Sequence, residues 1–244
     1  TFAAGHAGML RHNGASWQYV EAVRWRGMND VLGFGATNVW AAGDDGTILR
    51  FDGTTWSALR YNGTSVQPLA LDDWSVPARR VNLRGMWASS ATNLLVVGDS
   101  GTLLRYNGTA WTVVPTGVTA DLTGVWGANA TTVFITTADG RVLRYNGSTV
   151  TVASGLQAPG ALTAVWGTSA TNVYATGDNG VLLHFDGTAW SPVSVPVTGV
   201  YLVWPLASAS MAASLMNCGV SKSGSPAPKP TTSIPCALRA RALA

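Results

Sequence analysis

Charge is scarce in this sequence. Asp, Glu, Lys and Arg make up 11% of its 244 residues, against roughly 25% in an ordinary globular domain. Glu21 is the single glutamate, and the two lysines are Lys222 and Lys229. A formal charge of +3 with no basic run gives nucleic-acid binding no footing. Cysteine is nearly absent too: Cys218 and Cys236 stand 18 residues apart, a pair that leaves a disulfide in an oxidising compartment open but is no disulfide framework. No apolar run reaches the length of a membrane helix, so no membrane span is expected. No apolar period of 3.6 marks a helix. Starting at Thr1 without a charged-then-apolar leader, the chain reads as a mature or truncated form, or a fragment.

What the chain has in quantity is 28 glycines and 11 tryptophans, and their positions repeat. A turn reading Gly-Asp-x-Gly, or a degraded form of it, ends at Gly8, Gly46, Gly101, Gly140 and Gly180, at spacings of 38, 55, 39 and 40. A second turn follows at Asn13-Gly14, Asp52-Gly53, Asn107-Gly108, Asn146-Gly147 and Asp186-Gly187. These dipeptides tolerate the positive φ of a type I′ turn and mark hairpins. Three residues later stand Trp17, Trp56, Trp111 and Trp190, with Val150 in the fourth copy. Upstream, Trp87, Trp126 and Trp166 open each later copy, and Leu32 holds that place in the second. The stretches between are short and rich in β-branched and aromatic residues, hence strands. In the clearest copy they are expected over 162–166, 172–176, 181–185 and 189–193.

Four antiparallel strands per repeat of about 40 residues describe a β-propeller blade. The expected fold is an all-β propeller over 1–204 with five blades. Residues 2–20 match strands two to four of a blade and 199–204 match a first strand, so the two ends would close one shared blade and leave no open sheet edge. Residues 61–81 interrupt the period and read as a loop on one face, where binding residues gather. Residues 205–244 lose every landmark and carry SKSGSPAPKPTT, a low-complexity tail expected to be disordered; a frame shift after Trp204 would account for the same break.

The pattern Val-Trp-Gly-x-x-Ala-Thr-Asn-Val-Tyr-Ala-x-Gly-Asp-x-Gly-x-Leu-Leu-Arg-Tyr-Asn-Gly-Thr-x-Trp resembles the repeats of secreted bacterial β-propeller proteins. Its ends look like a shortened relative of the Asp-box of sialidase-like and photosystem-assembly propellers. The Asp-box has one residue between its Asp and Gly, whereas Asp52-Gly53 and Asp186-Gly187 are adjacent. The resemblance implies a propeller over residues 2–204, and its members include lectins, glycosidases and scaffolds.

Chemistry has little to work with. Asp44, Asp52, Asp99, Asp139, Asp178 and Asp186 recur at turns, where backbone hydrogen bonding explains them. Asp72 and Asp73 break the repeat and are the carboxylates a hydrolase would use. Arg11, Arg50, Arg105, Arg144 and His184 share one register of the third strand, and the preferred reading pairs them with the turn aspartates. The repeated tryptophans are core anchors first and sugar platforms second. No metal-ligand spacing, phosphate loop or nucleophile motif is present, so no metal or cofactor is expected.

The reading is therefore a non-enzymatic extracellular or envelope propeller, a monomeric ring presenting loops to a protein or glycan partner. Its candidate binding residues are Tyr61, Asp72, Asp73, Trp74, Arg79 and Arg80 in the insertion, with Trp25 and Trp40 as off-register aromatics. A lectin with repeated aromatic pockets is the alternative, and a sialidase-like glycoside hydrolase the third reading.

Overall fold

The computed structural model describes residues 1–6, 8–20, 27–71, 80–153 and 157–194. The insertion residues Asp72, Asp73, Trp74 and Arg79 lie outside them, as do Trp25, Glu21, both cysteines, the 199–204 segment and the 205–244 tail.

The described chain is a succession of antiparallel meanders. β1 (Phe2–Gly5), β2 (Gly8–His12) and β3 (Trp17–Tyr19) form a three-stranded sheet. β4 (Met28–Gly33), β5 (Val39–Gly43), β6 (Thr47–Phe51), β7 (Trp56–Tyr61) and β8 (Val66–Leu69) form a five-stranded one. Three four-stranded sheets follow: β9 (Leu83–Ser90) to β12 (Trp111–Val113) through β10 (Asn93–Gly98) and β11 (Leu103–Tyr106); β13 (Leu122–Asn129) to β16 (Val150–Val152) through β14 (Thr132–Thr137) and β15 (Val142–Tyr145); and β17 (Leu162–Ser169) to β20 (Trp190–Pro192) through β18 (Asn172–Gly177) and β19 (Leu182–Phe185). The first strands β4, β9, β13 and β17 pack side by side in sequence, with each sheet running outward from them. That is the arrangement of propeller blades, and the first sheet lacks only the innermost strand of one.

The two turns exchange the chemistry expected of them. At Asp44-Asp45-Gly46, Asp45 (φ 55°) and Gly46 both have positive φ, and the Thr47 N–H donates to the Asp44 carbonyl. Ser100-Gly101 and Asn179-Gly180 repeat this, so the type I′ turn is the Gly-Asp-x-Gly one. At Asp52-Gly53 only the glycine has positive φ. There a four-residue loop is held by Asp52 Oδ1, which accepts the N–H groups of Thr54 and Thr55 at 2.8 and 2.7 Å. The side chain mimics a backbone turn, which explains why Asn and Asp alternate at this position.

The 61–81 insertion does not begin as a loop. Asn62 Oδ1 accepts from Thr64 and Ser65, closing a further hairpin that pairs Tyr61 with Val66. Asn62-Gly63-Thr64 carries the same turn signal as the other copies. β8 carries Pro68, a residue that tolerates only an edge because it cannot donate to a ladder.

The core lies between sheets and is built from two interlocks. In the first, Trp87 packs on Gly127 of the next sheet and Trp126 on Gly167; a Cβ on either glycine would stand 2.6 or 2.7 Å from the indole. Where the ring is replaced by Leu32, the facing position is Ala88, and both sit in one cluster. In the second, a second-strand residue fits between a third-strand aromatic and a fourth-strand tryptophan of the following sheet. Phe2 meets Phe51 and Trp56 at 5.8 and 5.6 Å between ring centroids. Trp40 meets Tyr106 and Trp111 at 5.1 and 5.7 Å, and Phe134 meets Phe185 and Trp190 at 5.2 and 5.6 Å. At the third junction the same register brings Leu95 to Tyr145 and Val150.

Candidate functional site

The second residue of each first strand projects at the end of the sheets where the Gly-Asp-x-Gly turns lie. Repetition makes these Thr123 and Thr163, but the second and third sheets substitute Asn29 and Arg84. With Asp44 and Asn82 they line an open cavity of about 380 Å³. Thr123 donates to the Leu162 carbonyl at 2.6 Å, and Asn29 Nδ2 to the Leu83 carbonyl at 3.0 Å and to Asp44 Oδ1 at 2.9 Å. Each bond reaches the next sheet or its neighbouring turn, so the lining is held in place by the blades themselves.

Arg84 is the centre of the rim's electrostatics. Its Nε donates to Asp99 Oδ1 at 2.5 Å and its terminal nitrogen to Asp121 Oδ2 at 3.0 Å. Asn82 accepts the Asp45 N–H at 3.3 Å, and Arg80 lies 4.0 Å from Asp45. Among the described residues the rim thus carries four carboxylates, Asp44, Asp45, Asp99 and Asp121, against the two guanidinium groups of Arg80 and Arg84, an acidic balance. Arg80 is the described end of the insertion, so the stretch that breaks the repeat returns to the chain at this rim.

The third-strand cations do something other than expected. Arg50 lies 5.2 Å from the centroid of Trp40 and Arg11 5.1 Å from that of Phe51, as cation–π partners. Arg105 Nε donates to Asn93 Oδ1 at 3.4 Å. His184 stacks on Tyr174 at 4.5 Å and bonds Asn172 Oδ1 at 2.8 Å. Among the described residues none of these four, nor Arg144, forms an ion pair with a turn aspartate. The register explains it: Arg50 stands three residues along β6 from Thr47, roughly 10 Å from the Gly-Asp-x-Gly turn.

Of the three sequence-selected residues that are described, Tyr61, Arg80 and Trp40, Arg80 alone sits at the rim. Tyr61 is buried at the end of β7, its hydroxyl donating to the Gly63 carbonyl at 2.8 Å. Trp40 is 2% exposed, its Nε1 donating to Asn38 Oδ1 at 3.0 Å; both are core residues and present no surface. Trp87, Trp126 and Trp190 are likewise buried. Asn29, Asn82 and Arg84 escaped sequence reasoning, although aligning the first strands would have shown two of them replacing threonine.

Three carboxylates titrate below the ordinary aspartate value of 3.8. The Arg141 guanidinium, then the Thr137 hydroxyl, hold Asp139 down. The N–H groups of Thr55 and Thr54 do so for Asp52, and those of Ala189 and Thr188 for Asp186. A carboxyl depressed by folding adds stability above its unfolded value, and that contribution fades as pH falls through the folded one. The variant carrying Asp52→Asn, Asp139→Asn and Asp186→Asn is therefore expected to lose less Tm than the parent as pH falls below 3.8. Thermal melts across the acid range check this, and an unchanged slope refutes it.

No helix of the described residues is long and apolar enough to cross a membrane, and no group of three or more His, Cys, Asp or Glu among them could hold a metal ion. No family model matches the chain and no curated protein matches it. Solved structures do. A protein of unknown function from Bacteroides caccae aligns at 13% identity and TM-score 0.51, over 84% of this chain and 78% of its own. YCF48 bound to D1 peptide aligns at 14% and 0.38, over 78% and 76%. The C-terminal WD40 domain of Sif2 aligns at 16% and 0.46, over 68% of this chain but 48% of its own length. At such identities the likeness is one of fold alone, and the chain's own sheets make that fold a β-propeller.

Proposed function

We propose that this protein is a non-enzymatic binding or scaffolding propeller, an exported monomeric ring of five blades whose acidic rim takes a polypeptide segment carrying a basic side chain. The observation that carries the reading is convergence. Asn29, Asn82 and Arg84, which break the repeat, meet at one open cavity, and Arg80 from the insertion stands beside the adjoining turn, 4.0 Å from Asp45. A single site for one segment requires departure from symmetry, as catalysis does, and the carboxylates that would serve catalysis at this rim already have partners: Asp99 and Asp121 hold Arg84, and Asp44 holds Asn29. The lectin reading needs equivalent aromatic pockets in each blade, whereas Trp87, Trp126 and Trp190 are enclosed between blades.

Panning a random peptide library against the protein tests this. Recovered peptides should be enriched in Lys and Arg and bind more weakly as salt rises. Asp45→Asn should weaken them about three- to tenfold, because asparagine keeps the left-handed backbone at φ 55° and removes only the charge. Saturable binding on a glycan array, lost on aromatic substitution in several blades, would replace this reading with the lectin. Glycosidase turnover abolished by Asp72→Asn or Asp73→Asn would replace it with the hydrolase.

A further inference from the structure

Four successive junctions between sheets share one construction, set by register. The second-strand residue is Phe2, Trp40, Leu95 or Phe134, paired across its own sheet with Arg11, Arg50, Arg105 or Arg144. It enters the angle between two residues paired on the next sheet: Phe51 with Trp56, Tyr106 with Trp111, Tyr145 with Val150, Phe185 with Trp190. Size is matched at each junction. The aromatic entrants meet tryptophan, and the aliphatic Leu95 meets the one valine.

Two further sets of residues have the make-up of such a junction's halves. Tyr174 holds the entrant position on β18, paired with His184. His12 on β2 and Trp17 on its neighbour β3 are the paired acceptors, with ring centroids 5.1 Å apart, close to the 5.0–5.4 Å of the three completed aromatic acceptor pairs. His12 is braced as the tyrosines are: Tyr106 and Tyr145 donate to the carbonyls of Gly108 and Gly147, and His12 Nδ1 accepts from the N–H of Gly14 at 3.3 Å. Trp17 nevertheless stands 43% exposed, while Trp190 is 8% exposed. An indole on a prepared acceptor with no entrant leaves apolar area in water that its counterparts remove.

We propose that Tyr174 enters the angle between His12 and Trp17, so that the fifth sheet packs on the first and the ring closes through a fifth aromatic junction. The occupant is this chain's own fifth sheet, because four equivalent acceptor faces are each covered by the sheet that precedes them around the propeller, and the entrant has the aromatic size that a tryptophan acceptor takes. The inference rests on the five-bladed reading above and adds the residues that lock it.

A cross-linking experiment on the full chain tests it, with Cys218 and Cys236 replaced by serine. Trp17→Cys with Tyr174→Cys is treated with a short bis-maleimide at low protein concentration, beside Phe2→Cys with Trp56→Cys as the completed-junction control. The expected product is an internally linked monomer in both, identified by intact mass. Linked dimers from the Trp17 and Tyr174 pair would overturn the proposal and the five-bladed ring together, by placing Tyr174 on a second copy. A reactive control beside an unlinked test pair in a monomeric protein would overturn the contact and leave the five-bladed ring standing. Trp17→Val and Tyr174→Leu, which copy the Leu95 and Val150 junction, supply a second readout. Each should lower Tm by about 2–6 °C, and the double variant by clearly less than their sum; additive shifts would overturn the contact.

Discussion

Trp40→Ala is expected to destabilise the protein by about 3–5 kcal/mol and to lower Tm by roughly 6–20 °C for a domain of this size. The indole is 2% exposed, and it is the entrant of the second junction. Its removal strips Tyr106 and Trp111 of their shared partner, takes away the ring under Arg50 and leaves Asn38 Oδ1 without its indole donor. The cavity sits between two rigid sheets that cannot collapse into it, which places the cost high in the usual range. Trp40→Leu should lose less, because Leu95 fills the same position one sheet further on. Adding Trp111→Val to it, to match Val150, should cost little beyond the first change. Thermal or urea melts of the three variants decide the matter. A loss below about 1 kcal/mol for Trp40→Ala would mean that the junction contributes little.

The same residue shows where sequence reading stops. The strands, their order and the hairpins were visible because turn residues and alternating apolar positions are local signals. Trp40 looked unusual because it stands off the first- and fourth-strand tryptophan registers, and off-register aromatics invite a functional reading. Its explanation lies in Tyr106 and Trp111, which are about 70 residues away in the chain and on another sheet. Val150 stands where the other copies have tryptophan, and its reason is Leu95 on the preceding sheet. Relations between copies are invisible when each copy is compared only with the average.

Two local signals were also misassigned. Asn62-Gly63 lies inside the 61–81 stretch that reads as a loop, although it carries the same hairpin chemistry as Asn107-Gly108 and builds β8. The pairing expected between third-strand arginines and turn aspartates ignored strand length. Recurrence in sequence shows that two residues belong to the same unit, and it does not show that they touch. The rim was hidden for a related reason. Asn29 and Arg84 occupy ordinary strand positions, and only the side-by-side packing of β4, β9, β13 and β17 brings them to one cavity.

The interlock of the first strands yields the second large effect. Gly127→Ala should destabilise the protein by about 1–3 kcal/mol, the usual cost of forcing a methyl into a packed core. The added Cβ would stand 2.6 Å from the Trp87 ring and 2.8 Å from the Val133 side chain. An indole that is 7% exposed has no free direction in which to move. Trp87→Leu alone should also destabilise, by lost ring burial and a partial cavity. The two changes together should cost less than their sum by about 1 kcal/mol or more, because they recreate the pair that the chain itself uses one junction earlier, where Leu32 faces Ala88. A full double-mutant cycle by chemical denaturation measures the coupling. If the two losses simply add, the Trp-Gly repeat is not a steric lock between blades, and the glycine must be explained by its own strand.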